Sequence, residues 1–193
     1  MNPKNHPGIN LSDAVSKMAA HMREMTLRIR GSRGHQGSGT LWPRAGLIIT
    51  NAHVADASVH DVEFSDGQKA EGWLVARDPE RDLAALAVSV HPAISASVRS
   101  ARGLRAGELV LASGNPADGN CAITTGIVHR PVGNSSWLLA DIRLAPGNSG
   151  GPLADATGAI VGINSMIIGY LGCAVTSDAV DDFLRTFHLA EAA

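Results

Sequence analysis

The sequence predicts an all-β protein of two antiparallel units with a helix at each end, and three observations predict it. Short apolar runs recur about every 8–15 residues, the spacing of antiparallel barrels or a sandwich. Twenty-one glycines punctuate the chain between those runs. Helical periodicity is confined to the two ends.

In chain order, L-S-D-A-V-S-K-M-A-A-H-M-R-E-M (11–25) sets Leu11, Val15, Met18, Met22 and Met25 on one helical face, with Ser12 or Asp13 as the cap. M-T-L-R-I-R (25–30) alternates as a half-buried strand does. G-L-I-I-T (46–50), G-W-L-V-A (72–76) and L-A-A-L-A-V (83–88) complete the strands of a first unit, about 25–90. A turn-rich connector, H-P-A-I-S-A-S-V-R-S-A-R-G-L-R-A-G, follows. E-L-V-L-A (108–112), A-I-T-T-G-I-V (122–128), W-L-L-A (137–140), A-I-V-G-I-N (159–164) and C-A-V (173–175) are strands of a second unit, about 107–176. Ser177 and Asp178 then open a helix, about 177–188, with Val180, Phe183, Leu184 and Phe187 on its apolar stripe. The expected division is a helical segment over 1–24 and a domain over 25–193.

At 193 residues and 45% apolar composition, the chain can bury a sizeable core. A net charge of −2 without a Lys or Arg run offers no electrostatic footprint for nucleic acid or an anionic membrane. The polar start, M-N-P-K-N-H-P-G-I-N, has no apolar export stretch, so a cytoplasmic location is expected, with Cys121 and Cys173 as free buried thiols. The eight histidines form no H-x-x-x-H or H-x-H pair, so no metal site is expected.

The stretch L-A-P-G-N-S-G-G-P-L (144–153) isolates one hydroxyl, Ser149, among glycines. It formally matches G-x-S-x-G, the nucleophile elbow that leads from a strand into a helix. Gly150, Gly151 and Pro152 cannot start that helix, and the only histidine after Ser149, His188, sits on the final helix. The alternative puts base and acid upstream. His53 follows the apolar strand in I-I-T-N-A-H-V, and Asp82 stands at the mouth of an apolar strand in R-D-L-A-A-L-A-V. A histidine, an aspartate and a serine in that order, each at a strand edge, suit a hydroxyl activated by a base that a carboxylate orients. Asp78, before Pro79, reads as a turn residue. Thr50 and Asn51 are expected to serve local capping, and Asp141 reads either as an acceptor behind the site or as a surface aspartate.

G-S-G-T-L, I-I-T-N-A-H-V, the D-G of F-S-D-G, R-D-L-A-A-L, G-N-P, T-T-G-I-V, P-G-N-S-G-G-P-L, V-G-I-N and G-C-A-V-T-S-D-A-V occur in one order over about 25–185. On these motifs the chain resembles the trypsin-like serine proteases, specifically their HtrA/Deg branch. The resemblance implies two six-stranded antiparallel β-barrels with a cleft between them, His53 and Asp82 from the first and Ser149 from the second. It implies serine endopeptidase activity without a cofactor, on protein or peptide substrates. In that chemistry His53 takes the Ser149 proton, Asp82 holds the His53 tautomer, and Gly147, Asn148 and Ser149 form the oxyanion hole. Asn148 is neutral, so no ion pair with a newly cut N-terminus is expected to switch activity on. Leu144 and Ile168, with Ile167 beside them, would line an apolar pocket for a Val, Ala or Leu side chain, with Arg143 turned away or salt-bridged. A homo-trimer contact through the N-terminal segment is implied, and with the chain closing at H-L-A-E-A-A, PDZ-dependent regulation is expected to be absent. The competing expectation is a protease-fold binding module or chaperone whose triad is misaligned in the free state.

Overall fold

The computed structural model describes residues 10–31, 36–90, 96–116 and 121–189. Among the described residues, twelve strands form two closed, antiparallel six-stranded barrels. Barrel 1 comprises β1 (Thr26–Arg30), β2 (Gln36–Leu41), β3 (Leu47–Thr50), β4 (Val59–Glu63), β5 (Lys69–Asp78) and β6 (Leu83–Ala87), closed where β1 pairs with β4. Barrel 2 comprises β7 (Leu109–Gly114), β8 (Ala122–Val128), β9 (Trp137–Asp141), β10 (Pro152–Asp155), β11 (Ile160–Ile168) and β12 (Leu171–Thr176), closed where β10 pairs with β7. Closure leaves no sheet edge unpaired.

Each barrel fills its interior with its own apolar side chains: Leu27, Ile29, Ile48, Val62 and Leu86 in the first, Val110, Leu138, Ile142 and Val161 in the second. A third cluster lies between them and fixes their separation. Ile49 and Leu83 of barrel 1 and Leu111 and Ile163 of barrel 2 share it with Met22 and Met25 of helix α1 (Leu11–Met25). Phe183 of helix α2 (Ser177–Thr186) joins them. Fully burying each such side chain is worth about 1.5–3 kcal/mol.

The helix ends differ in detail from the sequence reading. Asn10, rather than Ser12 or Asp13, caps α1 by accepting the Ser12 N–H at 3.1 Å. Leu11 stands 70% exposed, so the buried stripe begins with the partly buried Val15. Three strands lack an apolar run of their own: β2, β4 and β10. Both cysteines are free; burial pushes the Cys173 thiol up to about 11. Among the described residues no helix is long and apolar enough to cross a membrane.

Candidate active site

The chain turns sharply after β3, and Asn51 accepts the N–H groups of Val54 and Ala55 on its carbonyl, both at 3.1 Å. That turn pushes the His53 side chain outward, where it is about half exposed. Arg77 of β5 clamps the same turn from beneath, donating from Nε and Nη2 to the Ala52 carbonyl at 3.0 and 2.9 Å and from Nε to Ala55 at 3.1 Å. Asp82 closes the loop before β6 with φ at +54°, a left-handed conformation that costs an ordinary side chain about 1–2 kcal/mol and that aspartate tolerates better. The side chain of Asn51 holds it there, donating from Nδ2 to the Asp82 carbonyl at 2.9 Å. Thr50 reaches across to β2, where its hydroxyl donates to the Ser38 carbonyl at 2.7 Å. Neither side chain caps its own turn, contrary to the expectation for that pair.

His53 and Asp82 meet closely. Nδ1 lies 2.9 Å from Oδ1 and 3.0 Å from Oδ2, and the His53 backbone N–H donates to Oδ1 at 3.2 Å. An ionised carboxylate only accepts, so Nδ1 carries the proton in this pair. Burial pushes the Asp82 carboxyl up, but the bonds from the His53 ring and from Ser165, with the adjacent imidazole, outweigh it and hold the group below its ordinary value. Asp78 caps its own turn through the N–H groups of Glu80 and Arg81, at 3.0 and 3.1 Å.

Ser149 lies on the loop between β9 and β10, in a run of backbone that no side chain could thread. A Cβ on Gly147, at φ +99°, would collide with the Asn115 carbonyl, and one on Gly150, at φ +86°, with that of Ser38. The loop uses its amides unevenly. Asn148 N–H donates to Ala145 at 3.0 Å, Gly150 to Asn164 at 2.8 Å and Gly151 to Asn148 at 3.0 Å. Among the described residues no acceptor takes the N–H groups of Gly147 and Ser149. Asn148 thus differs from the expectation that grouped it with Gly147 and Ser149: its amide is committed, and its part is to shape the loop. Its side chain is buried and neutral.

Ser165 joins the two halves. A β-bulge between Asn164 and Met166 leaves Ser165 out of the β11–β12 register. Its hydroxyl donates to Asp82 Oδ2 at 2.5 Å, and its carbonyl accepts the Ser149 hydroxyl at 2.9 Å. No hydrogen bond joins Ser149 to the His53 ring among the described residues; the serine rests on Ser165 instead. Sequence reading missed Ser165, and V-G-I-N-S carries no local sign of a bulge.

Beside Ser149 opens a cavity of about 160 Å³ lined by Leu144, Pro146, Ser149, Ser165, Met166 and Ile167. Ile168 does not line it; it closes β11 and stands 52% exposed. Met166, unforeseen, takes the place expected of Ile168. Arg143 is exposed and outside the lining, its carbonyl accepting the Thr124 hydroxyl at 2.8 Å. Asp141 is likewise exposed, at the end of β9.

Residues 37–163 match the family model of the trypsin-like peptidase domain. The chain belongs to the trypsin-like peptidase family. It is 38% identical over 147 residues to a probable periplasmic serine endoprotease DegP-like from Pseudomonas fulva (strain 12-X), covering 70% of this chain and 31% of that protein. To the protein of the same name from Rhizobium meliloti (strain 1021) it is 32% identical over 211 residues, covering 95% of this chain and 41% of that one. Among solved structures it is similar to an HtrA-type protease AlgW with tripeptide, with a TM-score of 0.81 and 27% identity, covering 89% of this chain and 62% of that one. The chain therefore spans between about a third and two fifths of the length of these two curated relatives. The double-barrel fold of the family is the fold expected from the motifs. The cytoplasmic expectation is corrected: the relatives are named periplasmic, and the polar opening stretch on which that expectation rested carries no weight against their names.

Proposed function

We propose that this chain is a serine endopeptidase of the HtrA/Deg type, cleaving unfolded or flexible protein segments through His53, Asp82 and Ser149 and an acyl-enzyme intermediate. The observation that carries this reading is the bonded pair of the His53 ring and the Asp82 carboxylate, at 2.9 and 3.0 Å, which the Ser165 hydroxyl ties to barrel 2. Rotation of the Ser149 hydroxyl off the Ser165 carbonyl frees its proton for Nε2 of His53 as the oxygen attacks a peptide carbonyl. The imidazolium that forms faces the Asp82 carboxylate, and the unclaimed N–H groups of Gly147 and Ser149 receive the developing oxyanion. His53 then protonates the leaving amine, and water repeats the sequence to release the acyl group.

Residues 25–193 form the protease unit in this reading, preceded by the 1–24 segment. Met22 and Met25 lie in the chain's own core, so where a homo-trimer contact through that segment involves α1 it uses the exposed side of the helix. The relatives' names carry the compartment to the periplasm. Leu144, Met166 and Ile167 make the cavity apolar, which suits Val, Ala or Leu; one methylene there discriminates by about 1–3 kcal/mol. Asn148, being neutral, makes no ion pair with a new N-terminus, so the uncut chain is the active one.

Turnover of a reduced, unfolded protein with products mapped by mass spectrometry tests the reading. Cleavage after aliphatic residues, absent in Ser149→Ala, supports it, whereas cleavage that survives Ser149→Ala or follows acidic residues refutes it. A second reading, a binding module with a latent triad, is favoured by one observation, the Ser149 hydroxyl resting on Ser165 instead of His53. It predicts retention of unfolded protein without cleavage.

A further inference from the structure

We propose that Ser38, on β2 of barrel 1, is a positioning residue for the oxyanion site of barrel 2, acting through the carbonyl of Gly147. This rests on the reading of Ser149 as nucleophile. The Ser38 side chain is fully buried. A hydroxyl has one proton to give and lone pairs to accept with. Here the proton goes to the Gly147 carbonyl at 2.7 Å, and a lone pair accepts the Asn115 N–H, also at 2.7 Å. The Ser38 backbone N–H donates to the Ser149 carbonyl at 2.8 Å. One residue of barrel 1 thus holds the carbonyls on both sides of Asn148, and ties them to the Asn115 stretch that follows β7.

The geometry shows why this bears on the oxyanion. The Gly147 carbonyl shares a peptide plane with the Asn148 N–H. That plane is pinned at one end by Ser38 and at the other by the Ala145 carbonyl at 3.0 Å. With the plane fixed, the direction of the Gly147 N–H depends only on the rotation at its own Cα, where φ is +99° and the Asn115 carbonyl leaves no room for a side chain. Remove the Ser38 hydroxyl and a buried carbonyl and a buried N–H lose their partners together. Only the Asn148–Ala145 bond then resists the turn that would satisfy them, and that turn carries the Gly147 N–H away from the cleft. The Thr50 hydroxyl fixes Ser38 in turn, from the strand end that leads to His53. Base and oxyanion site are thereby referred to one point.

Loss of an oxyanion donor costs on the order of 10²–10³ in rate. Ser38→Ala misaims a donor without deleting it, so kcat should fall roughly tenfold to a hundredfold while KM stays within about twofold. The experiment measures kcat, KM, thermal midpoint and affinity for a peptide boronate, whose tetrahedral adduct places an oxygen in the hole. Ser177→Ala is the matched control: it removes a buried hydroxyl-to-carbonyl bond, to Arg99 at 2.6 Å, on α2. Expected is a boronate affinity that weakens by the same factor as kcat/KM in Ser38→Ala, with kcat unchanged in Ser177→Ala. Where Ser38→Ala does not fold, Ser38→Cys, a weaker donor, should lower kcat several-fold with KM held. A kcat within twofold of the parent in a folded Ser38 variant overturns the proposal. So does an equal loss in Ser177→Ala, which would mean general loosening. A parent whose turnover and boronate binding both survive Ser149→Ala sinks the nucleophile reading itself, and this inference with it.

Discussion

Barrel 1 delivers its share of the cleft as a finished pair. The His53 ring and the Asp82 carboxylate are bonded at 2.9 and 3.0 Å, with Arg77 and Asn51 bracing the turns that bear them. Barrel 2 delivers a hydroxyl on a glycine loop, with that hydroxyl engaged by Ser165. The first half is held by side chains of its own barrel, the second by backbone shape and by hydroxyls that reach across from β2. Charge explains the contrast: a carboxylate in a partly buried site needs donors around it in the resting protein, whereas the oxyanion appears only during reaction. The two free N–H groups at Gly147 and Ser149 are therefore donors kept unspent.

Removing either half separates their contributions, and the largest expected effect is at the nucleophile. Ser149→Ala should lower kcat by roughly 10⁵–10⁶ with the fold intact. Turnover within tenfold of the parent would break the comparison. Next comes Asp82→Asn, which forces the wrong His53 tautomer while leaving the hydroxyl in place. A loss of about 10⁴ in kcat is expected, checked with a peptide ester and an amide of the same sequence. Ser165→Ala sharpens the comparison further, because it removes the bond to Asp82 and leaves the carbonyl under Ser149. Hydrogen bonds to charged groups are worth about 1.5–3 kcal/mol, so roughly a tenfold fall in kcat is expected, with KM little changed. A loss as large as that of Asp82→Asn would mean that the bulge itself had collapsed.

The smallest expected effect on activity is at a residue outside the cavity lining. Asp155 is buried on β10, where burial raises its carboxyl and the bonds from Thr157 and Arg99 outweigh that and lower it. Like Asp82, it has a folded value below its unfolded one. Both contribute stability that is present above the unfolded value of about 3.9 and lost as pH falls through the folded values. The thermal midpoint should hold level above about pH 5 and drop steeply below pH 4. Asp155→Asn should lower the midpoint at pH 7, make the acid drop shallower and leave kcat unchanged. An acid drop as steep as the parent's would remove Asp155 from this account.

The three side chains proposed to react stood out because each has a sequence context that such chemistry demands: a strand edge for His53, an apolar strand mouth for Asp82, glycines around Ser149. The strands found from sequence are those with runs buried enough to read as apolar, such as L-I-I-T and L-A-A-L-A. β2 escaped notice because Q-G-S-G-T-L has one apolar residue in six. Its hydroxyls are instead spent on barrel 2: Ser38 donates to Gly147, and Thr40 to the Gly150 carbonyl at 2.9 Å. The strand least visible in the sequence is thus the one that clamps the Ser149 loop. Ser165 was missed because its position depends on a bulge, and Met166 because that bulge decides which neighbour faces the cavity.

The most direct test is reaction of the folded, uncut protein with a fluorophosphonate at pH 8. Rapid stoichiometric labelling that maps to Ser149 and is abolished in both Ser149→Ala and His53→Ala is the predicted result. A folded protein that stays unlabelled, or that is labelled equally after His53→Ala, would contradict the claim that the two barrels assemble one activated hydroxyl.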